Sequence, residues 1–218
     1  MFLRIARYVP VNGIAFVVLV VVASLIKDAP GTDASNAEIL AYYQDDGNRR
    51  DEIIAFFLVG LAALCFLSWL GSLRGFLARA EGEPARLTTA AIASGAAFIT
   101  LAVFAHVAAT AMSWTVAGYD TFEIDPDAAR ILGSVWYGSF VMSMFAAAAM
   151  LLAASVLALE SRVFPTWLAA LGFLGALAGL LGFLVWPSVV ILVWILAASV
   201  WMLGAARSLS PQPEAPSR

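Results

Sequence analysis

The chain has 218 residues, 62% of them hydrophobic and only 12% charged, with a formal net charge of −3. A soluble domain carries about 25% charged residues, so this composition excludes an ordinary water-soluble globule. The basic residues, 11 Arg and one Lys, form no block, which excludes a nucleic-acid partner, and the single Cys65 excludes a disulfide scaffold or a Cys-based zinc site.

A helix needs about 20 apolar residues to cross a hydrocarbon core of about 30 Å. The runs here are continuous rather than alternating, which predicts helices and not a barrel. Nineteen uncharged residues separate Arg7 from Lys27. Arg4 and Arg7 ahead of the run Phe16 to Val22 look like the start of a signal peptide, but no small-x-small cleavage site precedes Lys27, so a retained first span is expected at about 8–27. The loop from Asp28 to Asp51 opens with the turn Pro30-Gly31. Ser35-Asn36-Ala37-Glu38 then reads as a capping box. Ile39, Leu40, Tyr42 and Tyr43 follow on a short amphipathic helix that Gly47 can end, and this helix is expected to lie over the outer mouth of the bundle.

Twenty-one uncharged residues between Glu52 and Arg74 predict a second span at about 52–74, with Cys65 inside it as a small apolar residue. The third, at about 88–114, carries His106. Asp125 as N-cap and Pro126 at the first helical position start the fourth, at about 128–159. The 44 uncharged residues between Arg162 and Arg207 are too many for one span and break at Trp186-Pro187 into spans at about 165–185 and 188–206. Residues 208–218, with Pro211, Pro213 and Pro216, read as a disordered tail. The expected fold is thus an all-α polytopic transmembrane bundle of about six spans, a single domain over 1–207.

With the N-terminus inside, eight basic residues fall on inner segments (Arg4, Arg7, Arg74, Arg79, Arg86, Arg162, Arg207 and Arg218) against four outside (Lys27, Arg49, Arg50 and Arg130). The positive-inside rule therefore predicts N-in/C-in. The outer face collects the acids, Glu52 among them. The preference for Arg over Lys, with abundant Ala, points to a GC-rich bacterial genome, and the bacterial inner membrane is the expected location. Trp114, Tyr119, Trp136 and Trp186 near outer boundaries, with Trp69 and Trp167 near inner ones, read as an interfacial belt.

Ser35-x-x-Glu38-Ile39-x-x-Tyr42-Tyr43, followed by a span ending Phe66-x-x-Trp69-Leu70-x-x-Leu73-Arg74-x-x-Leu77 and a Glu81-Gly82 loop, resembles a family of uncharacterised bacterial six-helix membrane proteins. The likeness is best over residues 35–90 and implies the architecture, with no activity attached.

His106 is the one ionisable side chain expected inside the membrane, with no buried carboxylate, Lys or Arg, and such residues are functional candidates by default. Thr110 and Ser113 share its face at i+4 and i+7, and Ser134 and Tyr137 are expected at similar depth on the next span. Two readings stand. His106, Thr110, Ser113, Ser134 and Tyr137 line an outer-half polar pocket, or His106 is neutral and glues two helices in register. Gly172, Gly175, Gly179 and Gly182 form a stripe along the fifth span, read as packing within the bundle, with the last span as the adjacent partner, or as a homodimer seam.

One His at no diagnostic spacing from an acid predicts no metal, and no haem or other cofactor is expected. No H-E-x-x-H, phosphate loop or G-x-S-x-G occurs, so no catalytic residue is assigned. The expectation is a non-enzymatic membrane protein that binds membrane lipids, a partner membrane protein, a second copy or a small apolar molecule. The alternatives are an uncoupled transporter or channel, and an enzyme acting on a lipid.

Overall fold

A computed structural model of the chain describes residues 10–26, 29–31, 33–119 and 121–208. Arg4, Arg7, Lys27, Asp28, Asp120 and, of the predicted tail, residues 209–218 lie outside the described residues. The described residues form α-helices and turns without a strand: α1 (Val11–Ile26), α2 (Asn36–Gln44), α3 (Asp46–Glu81), α4 (Arg86–Gly118), α5 (Pro126–Ser161), α6 (Thr166–Leu180) and α7 (Val189–Ser208). Two 3-10 turns, Gly182–Leu184 and Trp186–Ser188, join α6 to α7.

Local chemistry fixes the helix starts. The Ser35 hydroxyl accepts from the Glu38 N–H at 3.3 Å, and the Glu38 carboxylate accepts from the Ser35 N–H at 2.7 Å, which closes the capping box of α2. The Ser35 hydroxyl and then its N–H hold the Glu38 carboxyl below its ordinary value. One residue on, Asp45 caps α3 by accepting from the Asn48 N–H at 2.9 Å, so α2 and α3 meet at a single-residue corner. Asp125 and Pro126 start α5. α4 starts at Ala85, which has no capping side chain, and borrows one: the Glu81 carboxylate accepts from the N–H groups of Leu87 and Thr88 at 2.8 Å each.

α3, α4 and α5, of 36, 33 and 36 residues, are long and apolar enough to cross a membrane. At 1.5 Å per residue they run to about 50 Å, well past a core of about 30 Å. α1 and α6 have only 16 and 15 residues, and α7 has 20. The fifth predicted span covers 165–185, whereas the α-helix stops at Leu180. Gly179 and Gly182 weaken the helix there, and Pro187 forbids its continuation.

The six apolar helices close a ring in chain order: α1 packs on α3, α3 on α4, α4 on α5, α5 on α6, α6 on α7, and α7 back on α1. α2 lies across the ends of α3, α4 and α5. Away from α2 the ring is filled. Phe16, Phe66, Trp69, Phe98, Met150, Leu168, Trp194 and Ile195, drawn from all six helices, are buried together. Aromatic contacts cross it, with Phe66 4.9 Å from Phe16 and 5.3 Å from Phe98, and Trp69 edge-on to Trp194 at 6.3 Å. Trp69 is therefore no belt residue: it is 0% exposed, and its indole N–H has no hydrogen-bond partner. Trp167 is exposed, as a belt position requires.

The glycine stripe is used inside the chain, and its main partner is α5. A Cβ on Gly172 would meet Ser155 Oγ at 2.0 Å, one on Gly175 Leu151 Cδ1 at 2.8 Å, one on Gly179 the Met144 carbonyl oxygen at 2.8 Å, and one on Gly182 Met144 Cβ at 2.5 Å. From α7, Trp194 lies near Gly172 and Val190 near Gly175. Gly179 abuts backbone, which cannot rotate away. Gly179→Val is expected to destabilise the bundle by about 1–3 kcal/mol through overpacking. Gly60→Ala, where an added Cβ meets nothing within 4 Å, is expected to cause no loss. Thermal unfolding of both variants in mild detergent checks the pair.

Candidate functional site

The helix α2 is a roof, fixed at both ends. Its last carbonyls, on Tyr42 and Tyr43, accept from the side chains of Asn48, at 3.3 Å, and Arg49 in the first turn of α3. At its other end the Arg130 guanidinium, on α5, donates to the Ala34 carbonyl at 2.9 Å and to Asn36 Oδ1 at 2.7 Å. Ile39 and Tyr43 of the roof bury against Met112 of α4.

The third tie is Glu52, which the sequence reading placed among the acids of the outer face. It is 0% exposed. Ser113 Oγ, on α4, donates to Glu52 Oε2 at 2.6 Å, and Tyr42 Oη donates to Glu52 Oε1 at 3.3 Å. Both carboxyl oxygens thus have hydroxyl partners, which is the condition for burying such a group. Burial pushes the neighbouring Tyr43 phenol above its ordinary value, and Glu52 adds to the rise. Tyr43 therefore keeps its proton.

Beneath the roof is a cavity of about 740 Å3. Ala23 and Ser24 of α1, residues 29–31 and Asp33, Ile39 and Tyr43 of α2, positions of α4 between His106 and Met112, and positions of α5 between Ala129 and Gly138 make its wall. The volume falls in the usual range for a small-molecule site, about 300–1,000 Å3. His106, Ser134 and Tyr137 line it together. Thr110 and Ser113 do not. Thr110 turns its hydroxyl back to the His106 carbonyl at 2.9 Å, and Ser113 faces Glu52 on the other side of α4. Ser134 donates to the Arg130 carbonyl at 3.0 Å, and Tyr137 Oη reaches the Phe183 carbonyl at 2.7 Å, which pins the α6–α7 turn to α5.

Tyr42, Tyr43, Glu52, Asp33 and Arg130 were not among the residues predicted for this site. A signal for Glu52 existed. Glu52, Ala55, Val59, Ala62, Phe66, Trp69 and Leu73 recur at alternating steps of three and four, and all are buried. That stripe faces the interior, and Glu52 is its first member. Arg130 acts across more than 90 residues of chain, and no local pattern encodes its partners.

Among the described residues no cluster of three His, Cys, Asp or Glu could hold a metal ion. The chemistry offered is recognition: an apolar wall with a few fixed hydroxyls, an imidazole and a charged rim. No family model matches the chain, and no curated protein or solved structure matches it.

Glu52→Ala strips Ser113 and Tyr42 of their acceptor. Leaving the buried Ser113 donor unsatisfied costs about 1–3 kcal/mol. Faster amide hydrogen exchange across Asn36–Gln44 is expected in this variant, and much less change in Glu52→Gln, which keeps an acceptor oxygen.

Proposed function

We propose that the chain is a six-span membrane protein, with both ends on the inner side, that binds a lipid or small apolar molecule in the cavity under α2. The single observation behind this reading is that cavity: about 740 Å3, roofed by a tied-down helix, with His106, Ser134 and Tyr137 in its lining. The packed opposite half favours binding over conduction, since Phe66, Trp69 and Trp194 fill the ring where a pore would continue. The six-span count rests on the closed ring of six apolar helices. The α6 segment reaches useful length only with its 3-10 turns, from Thr166 to Ser188. Orientation rests on Arg74, Arg79, Arg86 and Arg162 at the end opposite α2. The bacterial inner membrane is the location this reading carries.

Native mass spectrometry of the protein in mild detergent is the test, wild type beside His106→Ala. A bound molecule of defined mass is expected on the wild type and is expected to be lost or depleted in the variant. An unliganded mass for both overturns the reading. A fluorescent reporter active only in the cytoplasm, fused after Arg218, is expected to light up, and a dark, stable fusion overturns the orientation.

A further inference from the structure

The wall of the cavity is incomplete on one side. No described residue of α6, of the 3-10 turns or of α7 lines it. α5 continues 11 residues beyond Tyr137 to Pro126, about 16 Å of helix, while the α6–α7 turn is held at the depth of Tyr137 by the bond to Phe183. α1 packs on α3 and α7 rather than on α5. Above the turn, then, no described residue of α6, of the 3-10 turns or of α7 closes the space between the last turn of α1 and the first three turns of α5. Its sill is apolar and exposed: Leu181, Phe183, Leu184 and Val185. Such a lip belongs in lipid rather than in water.

Three hydroxyls inside share one sense, while Tyr43, His106 and Trp136, which also line the space, can donate. Ser24 donates to the Val20 carbonyl at 2.8 Å, Ser134 to the Arg130 carbonyl and Tyr137 to the Phe183 carbonyl. A carbonyl can only accept, so all three hydroxyl protons are committed and only lone pairs remain for a ligand. Asp33 adds a carboxylate. Arg130 directs three of its five N–H donors to Asp127, at 2.9 Å, Ala34 and Asn36. Tyr43 lines the same space with its phenol protonated. The site thus asks for a group that donates to Ser134 or Tyr137 and can accept from Tyr43. A hydroxyl does both. An ether or ester donates nothing, a carboxylate meets Asp33, and an ammonium, although Asp33 offers it a counter-charge, cannot accept from Tyr43.

We propose that the cavity takes a membrane-soluble alcohol, an apolar body ending in a hydroxyl, which enters sideways from the outer leaflet over the α6–α7 turn. This rests on the reading of the cavity as a ligand site, and the experiment separates the two. Bromine quenches tryptophan on contact, and Trp136 lines the cavity. The probe is 9,10-dibromooctadecan-1-ol, titrated into the detergent-solubilised full chain.

Saturable quenching is expected, lost in Trp136→Phe and reversed by octadecan-1-ol. The methyl ether, stearate and octadecylamine are expected to compete about tenfold more weakly, the worth of one satisfied hydrogen bond. Ser134→Ala and Tyr137→Phe are expected to weaken the alcohol by a similar factor and leave the ether unchanged. Gly138 also lines the cavity, and an added Cβ there meets nothing within 4 Å, so Gly138→Phe is the variant chosen to obstruct the space. It is expected to abolish saturable quenching at an unchanged melting temperature. Equal competition by ether, acid or amine overturns the alcohol while leaving a ligand cavity. Quenching that survives Gly138→Phe overturns this cavity as the site of the alcohol. No saturable quenching, with none of the four competitors protecting the protein from bromine, overturns the cavity reading itself.

Discussion

A ring of helices can be closed along its whole length only if its members have equal length. Here they do not. α3, α4 and α5 carry 33 to 36 residues, while α6 and α7 carry 15 and 20. The helices are matched at the end where α3 turns into α4 and α5 into α6, because those connections are short: four residues from Glu81 to Arg86 and four from Ser161 to Thr166. The mismatch therefore accumulates at the opposite end. There the long helices rise past the α6–α7 turn, and no described residue of α6, of that turn or of α7 walls the space beside them. The cavity is a consequence of that geometry, and so is the need for a roof.

A roof over a cavity cannot rely on packing beneath it. α2 has nine residues, too few to be a stable helix alone. Its stability comes from its edges: the capping box at its start, Asn48 and Arg49 at its carbonyl end, Arg130 across from α5, and Tyr42 on Glu52. Glu52 links this roof to the bundle wall, because Ser113 holds its other oxygen. Burying a carboxyl is costly, and hydroxyl partners on two different helices offset the cost only when both helices are in place. The same group that is expensive to bury thus fixes how α2, α3 and α4 meet.

Much of this was legible in the sequence where the signal is local. Ser35 and Glu38 encode a cap within four residues, and Asp125-Pro126 encodes another. His106, Ser134 and Tyr137 could be placed near one another because helical rise converts sequence distance into depth. Charge was the poorer guide. Using Glu52 to mark a span boundary placed it in water, although the heptad of buried residues that begins with it says otherwise. Trp69 misled for a related reason: aromatic residues near a boundary read as belt, but position along a helix does not reveal which face they occupy. The glycine stripe was legible as a close-packing surface. Its main partner was not, because a stripe of small residues specifies closeness without naming the neighbour. Arg130 lay beyond reach altogether, since its acceptors are brought near only by the finished ring.

The two halves of the bundle follow from one trade. At the end away from α2, dispersion between tightly interlocked aromatics, small residues and the glycine stripe does the holding, and two buried polar atoms, Trp69 Nε1 and Ser155 Oγ, go without partners. At the α2 end polar bonds do the holding, and they lie almost wholly in the roof. Lifting α2 would break several of these, each worth about 0.5–1.5 kcal/mol net, together with its apolar contact on Met112. Moving past the sill of Leu181, Phe183, Leu184 and Val185 breaks none of them, because those side chains are already exposed. On the proposed reading, entry from the side is therefore the route that leaves the bonds of the roof intact.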